Sequence, residues 1–195
     1  MIVYKFTDPD GWTRRHHLNG HNWLKEPVLK TNGEGNLCGP GWIHAYEHPA
    51  LALFHDMLHS DYLPDALFFQ CEAVGEIKRD GFLKLGTTKL IVQEQLTIRT
   101  VTAVERAKYA SYAALEYIES AEIRSDLTKY LAGEEMSPQP LAIQSDLDVM
   151  VNMLRNYPNG TFEHLGLVIG LFTRVILAAN EAGVNLKKCA ERALQ

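Results

Sequence analysis

The amino-acid sequence predicts an α+β protein: a small, mainly antiparallel sheet domain over residues 1–101, followed by an all-helical C-terminal tail over residues 102–195. Three observations predict it. In the first half, short runs rich in β-branched and aromatic residues (Ile2–Phe6, Leu67–Ile77, Lys89–Ile98) are punctuated by Gly, Pro and Asp turn signals. Beyond residue 101 the apolar residues recur at helical spacing instead. Hydrophobic residues make up 46% of the 195 positions and charged residues 22%, enough apolar material to build a core and too little charge for a disordered chain.

The first strand, Ile2–Phe6, ends at the turn Asp8-Pro9-Asp10-Gly11. Trp12 to Gly41 is polar and Gly-rich and reads as loops, with one short strand near Pro27–Leu29. Trp42–Ala45 is another short strand. Pro49 suits the first position of a helix, where its missing N–H would have no partner anyway, and the helix runs over Ala50–His59. Leu67–Ile77 is a long strand with a bulge or turn at Gly75. A turn at Lys78–Gly81 and an irregular stretch around Gly86 precede the strand Lys89–Ile98.

In the tail, Thr102 and Glu105 have the spacing of a capping box, opening a helix to about Ser120. Ala107, Ala110, Ala113, Ala114, Tyr117 and Ile118 form its apolar stripe. Glu122–Leu131 continues after a break, and Ser137-Pro138-Gln139-Pro140 is a linker. Leu141–Arg155 is amphipathic through Leu147, Met150, Val151 and Leu154. Thr161 caps a further helix to about Asn180, and Val184–Leu194 is the last.

The net charge is −5, split as −2 and −3 between the halves (10 basic against 12 acidic residues, then 9 against 12). Neither half is polarised, and a mildly acidic chain is a poor general binder of phosphate backbones, which argues against non-specific nucleic-acid binding. The N-terminus lacks a basic segment followed by an apolar one, so no signal peptide is expected, and no apolar run reaches the length of about 20 residues that spans a bilayer. Cys38, Cys71 and Cys189 are odd in number and form no CxxC, which fits a reducing cytoplasm.

Seven of the eight histidines precede residue 60. His55 and His59 are four apart on the expected helix, so their rings share a face. His55-Asp56-Met57-Leu58-His59 resembles a zincin motif with Asp in place of Glu, one methylene short of a general base. No clear third ligand follows, so they are weak metal candidates and no cofactor is expected. No GKS or GKT follows the glycines at 33–41, no GxSxG is present, and no cysteine has an evident electropositive neighbour in sequence. Arg14, with Arg15, His16 and His17, lies between Trp12 and Trp23, a cluster that could grip an anion or a base. Leu165-Gly166-Leu167-Val168-Ile169-Gly170-Leu171-Phe172 is apolar all round and must be enclosed, either in the tail's own bundle or in a second copy. Gly166 and Gly170 share one side and would let helices cross closely. A homodimer through the C-terminal helices, using Leu165, Gly166, Leu167, Gly170, Leu171 and Phe172, is therefore expected.

The stretch Cys38-Gly39-Pro40-Gly41-Trp42-Ile43-His44-Ala45, the helix after Pro49, the strand Glu72-Ala73-Val74-Gly75-Glu76 and the later strand Lys89-Leu90-Ile91-Val92 together resemble an uncharacterised family of phage and prophage proteins. The family's core is a Cys-x-x-Gly-Phe-His-Ala segment, a helix, a Glu-Ala-Leu-Gly-Glu strand and a Lys strand. The resemblance covers roughly the first 100 residues and carries no assigned activity. More distantly, Gly39–Ala45, Leu67–Gly75 and Lys89–Val92 are similar to three elements of the poly-ADP-ribose polymerase type of ADP-ribosyltransferase fold. That resemblance places His44 where the nicotinamide-stacking Tyr falls and Lys89 near the catalytic Glu. A lysine there has the wrong sign to stabilise a developing oxocarbenium charge.

Three functions follow. The first is a non-catalytic, phage-encoded accessory protein of the host cytoplasm that binds a host or viral protein. The second is an enzyme acting on NAD or another nucleotide, with Arg14, His44, Tyr46, Gln70 and Glu72 as ligand-binding candidates. The third is a histidine-based metal protein using His55 and His59.

Overall fold

A computed structural model describes residues 1–13, 20–59, 66–99, 101–136, 145–156 and 165–195, with side chains excepted at 56–59 and 165–169. The chain divides into two compact units, Met1–Thr100 and Val101–Gln195. The architecture is α+β: five strands in one antiparallel sheet, and six helices among the described residues, five of them in the second unit.

In the first unit β1 (Ile2–Thr7), β2 (Val28–Lys30), β3 (Ile43–Ala45) and α1 (Pro49–His59) precede the long hairpin of β4 (Leu67–Asp80) and β5 (Lys84–Leu96). β1 pairs with β4, β4 with β5, and the far edge of β5 takes β3 at Leu85–Thr87 and β2 at Lys89–Ile91. Just past β3, Tyr46 exchanges two backbone hydrogen bonds of 2.8 Å with Tyr4 of β1. The ring β1–β4–β5–β3 is thereby closed, which removes an exposed strand edge where these strands meet. Its interior is filled by Val3, Trp23, Ile43, Ala45, Phe69, Cys71, Ala73, Leu85 and Leu90. On the outside, Phe6 stacks on Phe68 at 4.4 Å, and α1 packs against β1.

The hairpin departs from the sequence expectation at its tip. The turn is Gly81–Leu83, closed by the Leu83 amide on the Asp80 carbonyl at 2.9 Å, and β5 begins at Lys84 instead of Lys89. Gly86, expected to interrupt the strand, lies within it. Leu37 and Trp42 pack where its side chain would be, so a bare α-carbon is what allows that approach. Gly75 is a bulge: its φ is +89° and the β4–β5 register shifts between Val74 and Ile77.

The second unit contains α2 (Ala103–Tyr117), α3 (Ala121–Ala132), α4 (Asp146–Asn156), α5 (Leu165–Glu181) and α6 (Leu186–Ala193). The capping box at the start of α2 is formed, with Thr102 accepting from the Glu105 amide at 3.2 Å and Glu105 accepting from the Thr102 amide at 2.8 Å. Ala107, Ala110, Ala113 and Ala114 are buried as expected, together with Tyr109, whereas Tyr117 and Ile118 are half-buried. The small residues let α5 and α6 pack on α2. Arg192 of α6 covers the Tyr112 ring at 4.1 Å, a cation–π tie between α6 and α2. Arg155 of α4 and Asp126 of α3 form a buried ion pair, with 6% and 3% of their side chains exposed. Ser137–Pro140, Leu141 and Thr161, read from the sequence as a linker, a helix start and a cap, lie outside the described residues.

Candidate functional site

Alternation along the strands decides which face each candidate occupies. Phe69, Cys71 and Ala73 of β4 are core residues, so Gln70 and Glu72 between them lie on the outer face. Ile43 and Ala45 of β3 are likewise interior, which puts His44 outward. Barrel closure sets Tyr46 and Gln70 on either side of Tyr4 in one cross-strand row. Tyr46 is taken up by packing: it is 7% exposed, its hydroxyl donates to the His55 carbonyl at 3.3 Å, and its ring meets His55 edge-on at 6.1 Å. Glu72 is half-buried and accepts from Gln93 at 3.4 Å. Arg14 lies outside the described residues.

His44 and Glu72 are not brought together. Through the ladder, Glu72 faces Ile2, and Tyr46 faces Tyr4. Their backbones are thus two strand steps apart (~10 Å) and offset by four residues along the strands (~13 Å), far beyond mutual hydrogen-bond reach.

His55 is fully buried, and its Nδ1 lies 2.9 Å from the Leu83 carbonyl. A carbonyl only accepts, so Nδ1 carries the proton. The ring thereby ties α1 to the hairpin tip. His59's side chain lies outside the described residues, and among those described no three His, Cys, Asp or Glu side chains gather as a metal site.

Two residues of the first unit with strongly altered ionisation, Lys5 and Cys71, face the interior, and the sequence reading singled out neither as a site. Lys5 alternates with Val3 and Thr7, both fully buried. Its side chain is half-buried, and its ammonium donates to the His44 carbonyl at 3.0 Å and lies 5.4 Å over the Trp23 ring. Burial lowers its pKa from 10.5 to about 8, an effect a charged Cys71 would partly offset. Cys71 does not carry that charge at neutral pH, since burial pushes the thiol from 9.0 up to about 12 against the pull of Lys5. His44 hydrogen-bonds the Leu37 carbonyl through Nε2. Burial holds its pKa below the ordinary value; the Leu37 bond opposes that shift, and Lys5 and Lys84 add to it.

A second cluster corrects the sequence reading of the cysteines. Cys38 is exposed, and the Lys84 ammonium donates to its Sγ at 3.1 Å. This electropositive neighbour comes from the first residue of β5, 46 positions away, so local sequence could not show it.

Leu171 and Phe172, expected at a contact between copies, are 2% and 6% exposed within the single chain. With Val175, Ile176 and Ala179 they form the face that α5 turns to α2, α4 and α6, so their burial comes from the unit's own helices. Gly170 admits no close crossing inside the unit, because a Cβ there would meet only the Arg174 guanidinium at 3.9 Å. Leu165, Gly166 and Leu167 belong to the first turn of α5, within the stretch whose side chains are not described. Among the described residues no helix is long and apolar enough to cross a membrane.

No protein-family model matches this chain, and no curated protein or solved structure matches it either.

Proposed function

We propose that this chain is a non-catalytic accessory protein, phage- or prophage-encoded, that acts in the host cytoplasm by binding a host or viral protein. The observation that carries this reading is the dispersal of the polar side chains. Tyr46 and His55 are spent on packing and ties, and Glu72 stands apart from His44 on the outer face. A general acid–base or nucleophilic mechanism needs its members within hydrogen-bond reach of one reacting atom. The resemblance of Cys38–Ala45 and Glu72–Glu76 to phage proteins supports the origin.

Co-purification from the native host with Glu72→Gln beside wild type tests the proposal. The same partner should be captured at the same yield by both. Loss of biological activity in Glu72→Gln, with partner capture and thermal midpoint unchanged, would point to a carboxylate acting as a general base instead.

A homodimer belongs to the same reading, moved to the outward side of α5, where Gly170 has open space and Leu177 is 39% exposed. Sedimentation should show a species near twice 22.0 kDa that Leu177→Asp dissociates. A single species at the monomer mass removes the dimer from the account.

One observation favours a second reading, an enzyme acting on NAD or another nucleotide at an atypical ADP-ribosyltransferase-like site. The Lys84 ammonium lies on the same outer face as His44 and helps to hold its pKa down, and a cation beside that imidazole suits a phosphate group.

A further inference from the structure

Among the described residues, ion pairs join His21, Arg79, Arg155, Arg174 and Lys187 to carboxylates, and Lys5 takes part in none of them. Its one hydrogen-bond acceptor is the His44 carbonyl, so two of its three N–H groups have no acceptor among those residues. Taking even part of an ammonium's surroundings out of water without a counter-charge is costly, which favours an anionic partner there. Cys71, the nearby acid, is a neutral thiol at physiological pH and supplies no counter-charge.

The side chain beneath Lys5 has an independent deficit of the same kind. Trp23 is 1% exposed, and its indole Nε1–H is buried without any hydrogen-bond partner. Orphaned buried N–H groups are rare in native proteins and call for an explanation. Here two sets of unmatched donors belong to one stacked pair, with 5.4 Å between the ammonium and the ring centroid. Lys5 is only half-buried, so a ligand can reach it from solvent.

We infer that the Lys5–Trp23 pair in the barrel wall is a binding site for a carboxylate. One negative charge neutralises one ammonium, and two acceptor oxygens serve the spare Lys5 N–H groups and the indole N–H. A phosphate dianion would bring a second charge with no second ammonium at the pair, since Lys84 is engaged with Cys38. The inference deepens the binding reading above by naming the group the first unit recognises. The two fail separately: carboxylate binding without capture of a protein partner removes the partner and leaves the site.

The test uses the full chain labelled with ¹⁵N. Its three tryptophans give three indole signals, and Trp23→Phe identifies that of Trp23. Sodium acetate is titrated against sodium chloride at matched ionic strength. The Trp23 signal should move saturably, and the movement should fade as pH rises past about 8, where Lys5 loses its proton. Lys5→Met should abolish the shift while the Trp12 and Trp42 signals stay in place; removing an uncompensated charge does not threaten the fold. Inorganic phosphate should bind at least tenfold more weakly.

A peptide with a free C-terminal carboxylate, set beside its amide, distinguishes the sources. Tighter binding by the free peptide than by acetate assigns the site to a protein end, and binding by acetate alone assigns it to a small acid. A linear, unsaturating response of wild type to acetate, or an equal response in Lys5→Met, would overturn the inference.

Discussion

Replacing His55 separates a structural histidine from a metal ligand. His55→Ala removes a fully buried ring, its 2.9 Å bond to the Leu83 carbonyl and its edge contact with Tyr46. An orphaned buried carbonyl costs about 1–3 kcal/mol, and the lost aromatic contact about 0.5–1.5 kcal/mol. The cavity left by the ring brings the total to roughly 3–5 kcal/mol. For a unit of about 100 residues each kcal/mol shifts the midpoint by about 4–8 °C, so a fall of at least about 12 °C is expected. All three tryptophans precede residue 43, so fluorescence on heating reports on the first unit alone. His55→Phe keeps most of the volume and should lose only the hydrogen-bond share, about 1–3 kcal/mol. Neither midpoint should respond to EDTA or added zinc. A fall below about 1 kcal/mol in His55→Ala, or a wild-type midpoint that drops on chelation, would refute the reasoning and restore the metal reading.

Three more outcomes are expected. Asp126→Ala strands the Arg155 guanidinium beside the more exposed Glu122, at 3.6 Å, and should destabilise the helical unit by about 3–5 kcal/mol in urea, whereas Asp126→Leu with Arg155→Met should lose less than the single change. A thiol reagent at neutral pH should label one cysteine, Cys38, in the native protein and all three after denaturation, because burial holds Cys71 near 12 and Cys189 near 11; rapid native labelling of two would contradict this. Lys5 ionises near 8 when folded and near 10.5 when unfolded, so the unfolded chain binds more protons between those values and this residue's share of stability rises with pH there. Lys5→Met should therefore be more stable than wild type at pH 7, with the advantage shrinking between about pH 8 and 10.5; chemical denaturation at each pH checks it.

Much of the fold is local in origin and was legible for that reason. Thr102 and Glu105 satisfy each other's amides within one turn, Pro49 opens α1, and Gly75 sits at its bulge. The misplaced hairpin tip is a tertiary effect: Gly86 looks like a break until Leu37 and Trp42 pack against it. Closure of the barrel depends on Tyr4 meeting Tyr46, a non-local pair with no sequence signature. The site was less legible. Ile2–Thr7 is apolar at both parities, so alternation could not tell that Lys5 faces inward, and the residues singled out on β3 and β4 have the outward parity. The apolar run in α5 demanded cover but could not say that α2, α4 and α6 supply it.

The central claim, binding without turnover, is tested most directly by incubating the purified full chain with NAD and measuring nicotinamide by chromatography. The account expects no release above the protein-free control. Sustained release that His44→Ala abolishes, with the fluorescence midpoint unchanged, would contradict it.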